Sequence, residues 1–127
     1  MTSKSQLVIA ALIGAAVSGV AMHQLHAQAK PPAYVIVQLE VRDRSALDEA
    51  GPKMAAATAA HGGKYLARGT NVTPVDGKPA PQSVVLIAFD NVEKAVAYRN
   101  SSAVRETAPL REEGANEITF IVEGLPN

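Results

Sequence analysis

Ala60-His61-Gly62-Gly63-Lys64-Tyr65-Leu66-Ala67-Arg68-Gly69 separates an alanine-rich helical stretch from a segment that reads as a strand. Gly62-Gly63 is the stop signal between them. Glycine reaches positive φ without steric cost, so it closes helices in Schellman or αL caps. A helix therefore ends at about His61 and a strand begins at Lys64.

The residues upstream of this junction read as strand, then helix. In residues 34–41, Val35, Val37, Leu39 and Val41 point one way, and Tyr34, Ile36, Gln38 and Glu40 the other. A period of two marks a half-buried strand. Asp43 or Ser45 can cap the following helix, whose apolar positions are Leu47, Ala50, Met54 and Ala57. Gly51-Pro52 predicts a kink and a second helical piece over residues 52–61.

Downstream, residues 64–68 form the second strand, with Tyr65 and Ala67 opposed to Leu66 and Arg68. Asp76-Gly77 and three prolines make residues 71–82 an irregular connection. Residues 83–89 form a third strand, apolar on both faces and so covered on both. Asp90-Asn91-Val92-Glu93 opens a helix to about Asn100, with Val92, Ala95 and Val96 inward. Ser101 or Ser102 starts a short helix toward Arg111, disturbed by Pro109. In the last strand, residues 117–123, Ile118, Phe120 and Val122 oppose Thr119 and Ile121.

Strand, helix, strand, strand, helix, strand is the ferredoxin-like α+β arrangement: βαββαβ with a four-stranded antiparallel sheet. Two helices cover one sheet face. The other face also carries apolar side chains and cannot be left to water. A second copy packed sheet to sheet solves this, as a homodimeric α+β barrel with a cavity between the sheets.

The N-terminal quarter is organised differently. Residues 7–22 are an apolar run of 16 behind a short start containing Lys4. Leu25-His26-Ala27 and Ala27-Gln28-Ala29 offer small residues for cleavage. This is the pattern of a secretory signal. The run is short for a membrane span, which needs about 20 apolar residues. The expected division is a signal peptide or N-terminal anchor over residues 1–29, a linker over 30–32, a domain over 33–124 and a tail over 125–127. The expected location is exported, periplasmic or secreted, or else anchored to the inner membrane by the uncleaved segment.

Composition narrows the function classes. The 127 residues hold 12 Lys+Arg and 12 Asp+Glu, so no net basic charge points to nucleic acid. There is no cysteine, which excludes a thiol nucleophile, a thiolate metal site and disulfides. No phosphate-cradling glycine loop, Ser-His-Asp order or metal quartet is present, so neither cofactor nor metal is expected. His23 and His26 are one pair at the signal boundary and no site.

Tyr34, Asp43, Gly62-Gly63-Lys64-Tyr65-Leu66-Ala67-Arg68-Gly69, Asp76-Gly77, residues 84–89, Tyr98, Ser101, Arg111 and Val122-Glu123-Gly124 form a connected pattern. It resembles an uncharacterised bacterial family, domain of unknown function 1330 (DUF1330), over residues 33–124. The resemblance implies a ferredoxin-like dimeric barrel and no settled activity. Ala50, Ala88 and Val104 stand where the family often has a tyrosine, a carboxylate and a tyrosine. These losses weaken the case for catalysis.

Six residues are candidates for ligand binding. Arg68 can grip a carboxylate with its fork; alternatively it pairs with Glu40 on a neighbouring strand. Alternation sets it opposite Tyr65, at the rim if Leu66 faces the helices and at the mouth of the inter-sheet cavity if Leu66 faces the partner sheet. The resemblance, which keeps Arg-Gly here, favours the mouth. Arg111 is similar, or is a solvated helix residue. His61 can serve as a base, or as a cation at a helix C-terminus. Tyr34 and Tyr98 can line the cavity or pack the core. Glu40, beside Gln38, is the nearest acid/base group. The expected role is to bind a small, partly apolar or anionic molecule. The alternatives are a cofactor-free dimeric-barrel oxygenase or isomerase, and a structural or interaction module.

Overall fold

The structure is a computed structural model that describes residues 30–126; the expected signal segment lies outside these. The elements are β1 (Ala33–Val41), α1 (Arg44–Ala60), β2 (Lys64–Gly69), β3 (Ser83–Phe89), α2 (Val92–Arg99), α3 (Ser102–Glu106), α4 (Ala108–Gly114) and β4 (Ala115–Glu123). The strands form one sheet in the order β2-β3-β1-β4. Every neighbouring pair is antiparallel. This is the ferredoxin-like α+β fold. Among the described residues no helix is long and apolar enough to cross a membrane.

The period of two in β1 carries through. Ala33, Val35 and Val37 are buried against the helices. Ile87 and Phe89 of β3 share that face, as do Ala57, Ala95, Tyr98 and Val104 from the helical layer. Tyr98 stacks on Phe89 with ring centroids 5.0 Å apart. The expectation for α2 needs one correction. Tyr98, not Val96, is its large inward residue, and Val96 is exposed. The inward stripe runs through Ala95 and Tyr98, three residues apart.

Helix α1 is also corrected. It runs unbroken from Arg44 to Ala60 with Pro52 inside it. Proline removes the hydrogen bond to the Asp48 carbonyl, and its ring normally clashes with the Cβ of the preceding residue. That residue is Gly51, which has no Cβ, so the helix passes through. Asp43 caps the start, its Oδ1 accepting from Ser45 N at 3.0 Å and Ala46 N at 3.5 Å.

The Gly62-Gly63 junction is a Schellman cap. Gly62 N donates to Ala59 O at 3.1 Å and Gly63 N to Thr58 O at 2.9 Å. Gly62 takes φ 75°. Gly63 serves closeness instead: a Cβ there would lie 2.7 Å from Phe89 Cζ and 2.8 Å from Thr58 Cγ2.

The face away from the helices is apolar and open. On β4, Ile118 is 58%, Phe120 43% and Val122 45% exposed. Ile36 pairs with Phe120 on one side and Leu86 on the other, which extends the stripe across three strands.

Candidate functional site

The β2 register decides where the site lies. Tyr65 pairs with Ile87, but Ala67 pairs with Leu86, with a register shift between them. Leu66 is the extra residue of a β-bulge, which resets the alternation of everything after it. Without it, Tyr65 and Arg68 would face opposite ways, as the plain alternation predicts. Arg68 instead pairs with Val85 and lies on the helix side with Tyr65. Its guanidinium carbon stands 4.9 Å from the centre of the Tyr65 ring.

The expected pairing of Arg68 with Glu40 is overturned by the same topology. β3 separates β2 from β1, and Glu40 faces the open side. Glu40 Oε1 accepts from Gln82 N at 3.4 Å, while Gln82 Oε1 accepts from Val41 N at 2.7 Å. Among the described residues no carboxylate pairs with Arg68.

Between α1 and this face of the sheet lies a cavity of about 600 Å³. The cavity expected between two sheets needs a second copy; this one is formed within a single chain, on the opposite side of the sheet. Val37, Val85 and Ile87 form its floor, and Leu47 and Met54 of α1 its roof. α1 leaves the space because its buried residues are small: Ala46, Ala50, Ala57 and Thr58. The exposed Arg44, Asp48 and Arg68 stand at the rim.

Two polar clusters meet the cavity wall. One is built on Thr58. Its Oγ1 donates to Met54 O at 2.8 Å and lies 2.9 Å from Tyr98 Oη and 3.2 Å from Tyr65 Oη. One proton and two lone pairs satisfy three such partners. Burial pushes the Tyr98 phenol up, against the opposing pull of its Thr58 hydrogen bond and the Arg99 and Arg111 charges. Tyr98 therefore holds its proton.

The other cluster is built on Arg111. Its Nη1 donates to Glu117 Oε2 at 2.5 Å and its Nε to Thr107 Oγ1 at 3.0 Å. Thr119 Oγ1 donates to Glu117 Oε1 at 3.0 Å, and Arg99 Nη1 stands 3.8 Å from the same oxygen. The expectation of a solvated Arg111 is wrong: its side chain is 17% exposed and Glu117's is 16%. Arg111 and Arg99 share the single carboxylate of Glu117, and at the rim neither Arg68 nor Arg44 has a carboxylate partner among the described residues.

The six candidates thus divide. Arg68, Tyr98 and Arg111 come together around one cavity. Glu40 lines a separate hollow of about 380 Å³ on the open face, beside Gln38 and residues 79–81. Tyr34 shares that open face and packs on Gly124 at the end of the sheet. His61 caps α1, its Nδ1 2.9 Å from Ala57 O, and meets Tyr98 edge-on with centroids 6.0 Å apart. Tyr65, Thr58 and Glu117 are cavity-related residues that strand and helix periodicity alone does not single out. Among the described residues no group of three His, Asp or Glu is placed to hold a metal ion.

Comparison with known proteins decides the family. The model of a domain of unknown function, DUF1330, matches residues 32–125. The chain belongs to the DUF1330 family. No curated protein matches it. Among solved structures, a protein of unknown function from Rhodopseudomonas palustris is 15% identical, with TM-score 0.61, covering 84% of this chain and 93% of that one. A dimeric, ferredoxin-like protein of unknown function from Bacteroides fragilis is 13% identical, with TM-score 0.51, covering 73% and 96%. SnoaB from Streptomyces nogalater, a cofactor-independent oxygenase, is 10% identical, with TM-score 0.53, covering 76% and 96%. At these identities the DUF1330 chain shares their fold, and no activity follows from the likeness.

Proposed function

We propose that this DUF1330 chain is an exported, homodimeric protein that binds a small, partly apolar anion in the cavity between α1 and the sheet. One observation carries the reading. Arg68, stacked on Tyr65 and unpaired by any described carboxylate, stands at the rim of an apolar cavity. Ligand sites are mostly apolar hollows with a few placed polar groups, and about 300–1,000 Å³ is their usual size. A guanidinium grips a carboxylate bidentately and fixes the ligand's direction. Calorimetric titration with 2-naphthoate tests this. Saturable binding that is lost in Arg68→Gln supports it; equal binding by both proteins refutes it.

The homodimer rests on the open apolar face of β4, β1 and β3 and on the dimeric relative of the same fold. Export rests on the apolar run over residues 7–22 and the small residues after it. N-terminal sequencing of protein from its native host decides export. An intact Met1 on cytoplasmic protein would end that proposal.

A cofactor-free oxygenase is the second reading. The protonated, buried Tyr98 at the cavity supports it, together with the shared fold of SnoaB. The uncommitted carboxylate at the cavity, Asp48, is exposed at the rim, which favours binding over chemistry. Dioxygen uptake with 1-naphthol that disappears in Tyr98→Phe would reverse that preference.

A further inference from the structure

We propose that the ligand carries, a few bonds from its anionic group, a second oxygen that accepts a hydrogen bond from Tyr65, which makes it an apolar hydroxy or keto acid. This rests on the reading of the Arg68 cavity as an anion site.

Tyr65 has two contacts with different consequences. Its ring carries the Arg68 guanidinium at 4.9 Å. Its hydroxyl reaches Thr58 Oγ1 at 3.2 Å, the longest of the three contacts to that oxygen. Thr58 is 1% exposed, its Oγ1 donating to Met54 O at 2.8 Å and lying 2.9 Å from Tyr98 Oη. If Tyr65 turns its proton away, Thr58 keeps both of its shorter partners, so no buried polar atom is stranded. Tyr98 is 1% exposed and fixed in the core, whereas Tyr65 is 37% exposed on an edge strand. Of the two phenols at the cavity, Tyr65 is the one free to serve a ligand.

The spacing follows from the residue itself. The anion site stacks on the ring whose hydroxyl is the second site, so both lie within the reach of one tyrosine side chain. The two ligand oxygens must then be near neighbours. The apolar body lies over Val37, Val85 and Ile87. An acid with one carboxylate fills the arginine and leaves the hydroxyl on Thr58. A hydroxy or keto acid adds a hydrogen bond.

The test titrates the full chain with 2-naphthoate, 3-hydroxy-2-naphthoate and 6-hydroxy-2-naphthoate. The 3-hydroxy acid should bind about five-fold tighter than the other two, the gain of one net neutral hydrogen bond. Tyr65→Phe should bring all three to one affinity, because the ring still carries Arg68. Tyr65→Leu removes ring and hydroxyl together and should weaken all three by about ten-fold. Thermal melts of both variants check that they fold. If all three acids bind through Arg68 without preference, the anion reading stands and the second oxygen is wrong. A preference that survives Tyr65→Phe also overturns it. If none of the three binds, the anion reading fails and this inference fails with it.

Discussion

Tyr65 and Arg68 face the same way because Leu66 is one residue too many for its partner strand. That single insertion moves Arg68 from the open sheet face to the helix side. Arg68→Lys keeps the charge and loses the planar fork. It should weaken 2-naphthoate by about 1–3 kcal/mol, the range for hydrogen bonds to charged groups, with the unfolding midpoint nearly unchanged. Calorimetry and urea unfolding of the same preparation read both numbers. Tyr98 predicts a pH effect. Its folded pKa lies above the ordinary tyrosine value of 10.0. Below that value both folded and unfolded chains keep the proton, and the buried phenol contributes fully. As pH rises through 10 toward the folded value, the unfolded chain loses its proton first and stability falls. The melting temperature of wild type should therefore drop more steeply above pH 10 than that of Tyr98→Phe. Matching slopes would show that Tyr98 is not the group responsible. At this scale Arg68, Tyr98 and Arg111 were legible as chemistry-bearing residues. Their surroundings were not: alternation counts residues along one strand, and a bulge exists only between two.

The elements were legible where a local signal had one reading. Gly62-Gly63 is followed in sequence by a strand and in space by a Schellman cap. Gly63 shows why both glycines are needed. Gly63→Ala would press a methyl into Phe89 and Thr58, at 2.7 and 2.8 Å. Overpacking of this kind costs about 1–3 kcal/mol, to be read as a lower urea midpoint at constant slope. An unchanged midpoint would mean that the strand simply shifts. Helix α1 was less legible. Gly51-Pro52 reads as a kink because proline is costly in a helix interior. The same glycine removes the clash of the proline ring with a preceding Cβ, and the helix continues through to Ala60. In α2 the stripe read from sequence set Val96 inward, and the structure sets Tyr98 there instead, in contact with Phe89.

For the whole molecule, the ferredoxin-like sheet follows from the succession of strands and helices, and its two faces from the period of two in β1 and β4. Which side of the sheet holds the cavity does not, because both faces are apolar. The helix-side cavity exists because α1 sets alanines over Val37 and Val85, and that is a matter of volume rather than pattern. The open face predicts self-association. Light scattering should give twice the monomer mass, and Phe120→Glu, a charge in the middle of the exposed stripe, should give the monomer with its fold intact by circular dichroism. A wild-type monomer at micromolar concentration would show that this face is covered some other way. Two hollows on opposite sides of one sheet then compete as the ligand site. A crystal structure of the protein with 2-naphthoate separates them. The ring system should lie between α1 and the sheet over Val37 and Val85, with its carboxylate on the Arg68 guanidinium. Density for the naphthoate on the open face, in the hollow beside Glu40 or between two sheets, would contradict the assignment of the site.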